Sequence, residues 1–258
     1  MILWRTILKK LQEGKALLKL IQTEFMKLRR RKLICLMLPA ALIMPFFAFL
    51  YFVYTGKTGV DPMQFYRWSA LGFTFMIILP VVLGIFCTSL MYDENQYDML
   101  KQLWIVPVSK TGYFLSKFLV VLIYSVCFMA ITFAASIFSG MLSGCIAFQW
   151  ESVWILLKKC FEIGVLTAFA MLPILAVAAS QKGYIFPVCI TLIYVFLGVI
   201  MVNMSLHPLS GLAVIIARDG TIPGVSFAQR NILSEILCIC IWDIAAVLFA
   251  VISLKRRK

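Results

Sequence analysis

The sequence predicts an all-α integral membrane protein: six transmembrane helices preceded by an N-terminal amphipathic interfacial helix. Hydrophobic residues make up 63% of the 258 and charged residues only 14%, against about 25% charged in a soluble chain, so the apolar excess has to face lipid. The apolar residues gather into runs of roughly the 20 residues that a helix needs to cross a bilayer. The 24 Lys and Arg residues, behind a net charge of +13, flank those runs. That is the orientation signal of a membrane protein, and it argues against nucleic acid as a partner.

Residues 1–32 form a cytosolic or interfacial segment. Trp4, Ile7, Leu8, Leu11, Leu18, Ile21, Phe25 and Leu28 recur mostly at three- and four-residue steps, with Lys9, Lys10, Lys19, Lys27 and Arg29 on the other face. Such a helix lies in the headgroup layer with its apolar stripe down, or packs on a partner protein; Gly14 can divide it. A secretory signal peptide is not expected, because the first long apolar run begins only at Leu33 and has the length of a span.

The six spans are expected at about 33–54, 68–91, 117–141, 162–180, 184–203 and 232–254, with a basic tail at 255–258. Pro39, Pro45, Pro80 and Pro173 fall inside spans and read as kinks, tolerated where neighbours satisfy the freed carbonyls. A polar loop, 55–67, links spans one and two, and the turn Gln181–Gly183 links spans four and five. Segments 142–161 and 204–231 are mixed in character and apolar enough to dip into the membrane.

With the amino terminus inside, the inner segments hold eighteen Lys and Arg: ten between Arg5 and Lys32, then Lys101, Lys110, Lys117, Lys182 and Lys255 to Lys258. The outer segments hold six: Lys57, Arg67, Lys158, Lys159, Arg218 and Arg230. This bias places both termini in the cytosol and requires an even number of spans. Six of the eight cysteines fall in apolar runs, where Cys behaves as a small hydrophobe. Cys145 and Cys160 flank one outer segment; they read as free thiols, with a disulfide there as the alternative.

No catalytic constellation, cofactor site or metal-ligand spacing is visible. Thr55-Gly56-Lys57-Thr58-Gly59 resembles part of a phosphate loop, but Tyr51 stands where the first glycine belongs and the segment falls in an outer loop. His207-Pro208 reads as a loop pair, and Glu162 and Glu235 as acids that reach the interface. Asp243 is the one acid deep within a span, about 18 Å along the helix from Lys255. A carboxylate there is either functional, lining a path, or a hydrogen-bonded lock between helices. The cytosolic stretch Tyr92 to Lys110 carries Glu94 and an apolar set, Met99, Leu100, Leu103, Trp104 and Val106, that fits a groove on a soluble partner or else a solvated loop.

Two stretches carry a family resemblance. Gln22-Thr23-Glu24-Phe25-Met26-Lys27-Leu28-Arg29-Arg30-Arg31-Lys32 runs straight into span one. The segment after span two has early acids, a Leu-rich middle, then Pro107-Val108-Ser109-Lys110 and Lys117. Together they resemble the permease subunit of type-two ATP-binding-cassette exporters, nearest to the permeases of self-protection against lantibiotics and bacitracin-like peptides. The resemblance implies an elbow helix including Phe25, Leu28, Arg29, Arg30, Arg31 and Lys32, and a coupling helix within about 94–106 that docks on a separate cytosolic ATPase. It implies that ATP and Mg sit on that ATPase, that a second permease, identical or related, completes the path, and that the site of action is a bacterial plasma membrane. Short helices between 204 and 231, dipping into the outer leaflet, are also implied. Where a Gly-Thr pair is common after the first acid, this chain has Tyr97-Asp98.

Two rival readings are weaker. A secondary transporter driven by an ion gradient calls for several intramembrane charges and an inverted repeat; an intramembrane enzyme calls for catalytic groups at membrane depth.

Overall fold

A computed structural model describes residues 22–24, 26–27, 36–55, 61–96, 110–144, 149–204, 206–217 and 231–256. Every regular element among them is helical. Span one is a 3₁₀ turn, Leu38–Leu42, leading into helix α1, Ile43–Thr55. Span two begins at α2, Pro62–Tyr66, where the Asp61 side chain accepts the Met63 N–H at 3.3 Å and Pro62 occupies the first turn, a capped start. It continues through two π-helical stretches, Arg67–Leu71 and Thr74–Ile78, into α3, Leu79–Gln96. Span three is the single helix α4, Lys110–Ser143; span four is α5, Trp150–Ala170, and α6, Leu172–Ser180. Span five is α7, Ile185–Ile200, with a 3₁₀ turn, Met201–Asn203; α8, Pro208–Ala217, precedes span six, α9, Ile232–Arg256.

Five of these units are long and apolar enough to cross a membrane: Leu38–Thr55, Pro62–Tyr92, Thr111–Ser143, Trp150–Ser180 and Ile232–Leu254. The α7 helix has 16 residues, or about 24 Å, and its 3₁₀ continuation adds about 6 Å. That total matches a hydrocarbon core of about 30 Å, so α7 with its continuation has the length that the sixth expected crossing requires. The helices of spans two, three and four begin earlier than the hydropathy pattern suggests. Span four differs most, because Lys158, Lys159 and Glu162 make its first turns read as a loop. On the helix, Lys159 pairs with Glu162 at 3.2 Å, three residues on, and the exposed face takes Lys158. Cys160 is a buried free thiol within α5; Cys145 lies outside the described residues.

At two of the prolines, a hydroxyl from a neighbouring span reaches a carbonyl that the helix leaves free. Pro45 has no N–H for the Ala41 carbonyl; the Thr132 hydroxyl of span three, 3.1 Å from its own Phe128 carbonyl, reaches Ala41 O at 3.4 Å. At Pro173, span four breaks at Met171, and the Ile174 N–H turns to Met171 O. The Ala170 carbonyl so released accepts the Tyr194 hydroxyl of span five at 2.6 Å. Pro80 withholds its N–H from Met76, which lies in the second π-helical stretch.

Small residues set the closest approaches between spans, as expected where lipid is as apolar as the side chains. A Cβ on Gly84 of α3 would overlap the Thr191 Cγ2 of α7 and stand 2.9 Å from the Thr191 Cβ. One on Gly164 of α5 would press on the Val126 Cα of α4 at 3.2 Å, and the Gly164 carbonyl accepts the Ser125 hydroxyl at 2.7 Å. Phe86 stacks on Tyr124 between these contacts, ring centroids 4.2 Å apart.

Candidate coupling end and mid-depth polar cluster

The expected coupling features fall at the end of the bundle where Tyr92 meets Tyr184, ring centroids 5.5 Å apart. Span two leaves this end as α3, and α4 enters it, so both helices flank the segment 97–109. The 34 residues of α4 run to about 51 Å, well over the core thickness, and a helix of that length carries its ends clear of the hydrocarbon. Glu94 stands in the last turn of α3. Met99, Leu100, Leu103, Trp104 and Val106 lie outside the described residues, as do Phe25, Leu28, Arg29, Arg30, Arg31 and Lys32.

Residues 22–24 and 26–27 are helical and seated on this end. Glu24 is 3% exposed and Lys117 of α4 1% exposed, and the Lys117 ammonium donates to a Glu24 carboxylate oxygen at 2.5 Å. The other Glu24 oxygen accepts from Lys27 at 3.2 Å. The Lys117 Nζ also sits 5.5 Å from the Tyr113 ring centroid. The Tyr113 hydroxyl donates to the Met91 Sδ of α3 at 3.8 Å. In the sequence Lys117 reads as a flanking charge and as part of the family resemblance, not as the partner of Glu24. The available signal was Glu24 itself, an acid placed three residues after Ile21 and four before Leu28, on the apolar stripe of a basic helix.

The second polar gathering lies halfway along span six. The Trp242 Nε1–H donates to the Leu206 carbonyl at 3.1 Å, which brings the turn between α7 and α8 to the depth of Asp243. His207, 6% exposed, packs against Tyr194 with centroids 4.2 Å apart. Its Nδ1 accepts the Leu209 N–H at 3.2 Å, so the neutral ring carries its proton on Nε2. Among the described residues, that Nε2 and Asp243 Oδ1 are both buried without a hydrogen-bond partner. His207 stands in the bend before α8, as its reading as a loop residue expects, and its ring is built into the interior. Glu235 is fully buried as well, instead of reaching the interface: its Oε2 would stand 3.2 Å from a Cβ on Gly211 of α8, so the glycine leaves the room that the carboxylate fills. Among the described residues, no three His, Cys, Asp or Glu side chains come together as a metal site would require.

Helices of spanning length with a polar cluster at mid-depth define a membrane-embedded helical protein. The family model of the ABC-2 family transporter protein matches residues 20–198, well over half of the chain, and the chain belongs to that family. It is accordingly a permease, the membrane component of an ATP-binding-cassette transporter. No curated protein matches the chain.

Proposed function

We propose that this permease is an exporter subunit powered by a separate cytosolic ATPase that docks on residues 94–106, with a second permease copy or a related permease completing the path. The observation that carries the reading is the pair of family helices, α3 and α4, that flank segment 97–109 at one end of the bundle. The basic-residue bias favours the cytosol for that end. ATP and Mg act on the ATPase. Closure of the ATPase pair pushes the segment and moves spans two and three together. The mid-depth cluster around Asp243 supports a role in lining the path or packing it.

The cargo proposed is an amphipathic or lipid-associated antimicrobial peptide of the lantibiotic or bacitracin type, expelled outward or cleared from the membrane of a bacterial cell. An alternative, ion-driven transport by the chain alone, has the orphaned Asp243 in its favour. Copurification separates the two: a soluble ATPase accompanies the full chain and is lost on deletion of residues 94–106. Solute movement by the purified chain under an ion gradient, without any ATPase, would contradict the proposal. For the cargo, coexpression of both subunits raises the inhibitory concentration of bacitracin or a lantibiotic; unchanged susceptibility to both excludes that class.

A further inference from the structure

We infer that the Glu24–Lys117 ion pair is the positioning contact that makes the N-terminal helix travel with span three when the ATPase acts. This rests on the ATPase-driven reading above. The pair joins residues 93 apart in sequence, and both side chains are almost wholly buried. Taking an ammonium and a carboxylate out of water is costly, and an apolar pair of similar volume commonly holds helices together at least as well. What an ion pair adds is register: an apolar contact between helices can slide, whereas the Lys117 ammonium and the Glu24 carboxylate meet in one geometry.

Its position gives that register a use. Lys117 stands on α4 seven residues after Lys110, where the helix leaves segment 97–109. Through the Tyr113 ring and the Tyr113–Met91 contact it also touches α3, the helix that enters the segment. One charged node therefore binds the N-terminal helix to both arms that hold the segment. A push on the segment moves Lys117, and Glu24 must follow or leave a buried ammonium without its carboxylate, which opposes separation strongly. The second link of Glu24, to Lys27, is within the N-terminal helix and passes the load along it.

The test uses the full complex with spin-labelled unnatural residues at Gln22 and Leu115, both exposed, and reads their separation without nucleotide and after trapping with ATP and vanadate. The inference predicts one narrow distance, the same in both states. In Lys117→Met, and equally in Glu24→Gln, the two states separate by about 2–5 Å, the size of helix shifts at interfaces, and the Glu24→Gln/Lys117→Met double variant is no worse than either single. A contact that merely stabilises the fold would broaden both states alike; that result, or a wild-type distance that changes between states, overturns the inference. If a single variant fails to accumulate, the double variant, which leaves no lone buried charge, carries the same comparison. Absence of any ATPase from the wild-type preparation would instead count against the exporter reading.

Discussion

The two halves of span two differ more than their compositions do. From Leu79 to Gln96 the chain is an unbroken α-helix. Between Leu79 and Met91 it is enclosed on nearly every side, with only Val81 and Ile85 less than buried, as expected of a helix at the centre of a bundle. From Arg67 to Ile78 the same span runs through two π-helical stretches separated at Gly72. There the Thr74 hydroxyl reaches back five residues to the Ser69 carbonyl at 3.4 Å. The regular half lies towards segment 97–109, and the irregular half departs from α-helical bonding, as helices do at π-helical turns. In the ATPase-driven stroke proposed above, the regular half would act as a rod and the irregular half as a yielding part, with Pro80 at the junction. The difference teaches that one span can join two kinds of helix without a loop between them.

Breaking the rod should have the largest effect. Gly84→Leu forces a side chain into the space of Thr191 Cγ2, and folded permease recovered from the membrane should fall below detection by size-exclusion chromatography. Gly72→Ala in the irregular half meets the Arg67 carbonyl at 3.3 Å and the Trp68 carbonyl at 3.8 Å, and most of the folded yield should remain.

The next effect concerns a break patched from outside. Tyr194→Phe leaves the Ala170 carbonyl of span four without its hydroxyl donor and should cost about 1–3 kcal/mol, the range for a buried group left unsatisfied, read by thermal unfolding in detergent. Thr74→Val removes a long hydrogen bond within span two itself and should cost about 1 kcal/mol or less. Equal losses in the two variants would erase the distinction between a packed break and a yielding one.

A smaller effect sharpens the comparison. Hydrogen exchange should be faster over residues 67–78 than over 79–91 in the wild-type chain. Pro80→Ala, which returns an N–H for the Met76 carbonyl, should slow exchange across Thr74–Ile78. Unchanged exchange there would assign the π-helical stretch to Gly72 and not to Pro80.

Much of the fold was legible because membrane spans announce themselves by length and hydropathy, and the proline kinks at Pro45 and Pro173 follow from a missing N–H. Three features were not legible, each for a physical reason. The start of span four at Trp150 is hidden by Lys158, Lys159 and Glu162, because a charge count cannot see that Lys159 and Glu162 share one helical face. The burial of Glu235 depends on Gly211, 24 residues away in sequence, leaving space for it. The Glu24–Lys117 pair couples positions that no local pattern connects, although an acid on an apolar stripe was a usable sign. Of the expected coupling residues, the structure supplies the two flanking helices and not the side chains between them, and Asp243 is placed halfway along span six, half-buried.

The most direct test of the account is photocrosslinking of the intact complex in membranes, with a photoreactive residue at Leu103 in one sample and at Trp150, which is exposed at the opposite end of the bundle, in another. The account predicts that Leu103 captures a nucleotide-binding chain and Trp150 does not. Capture of the ATPase from Trp150, or from neither position, would contradict it.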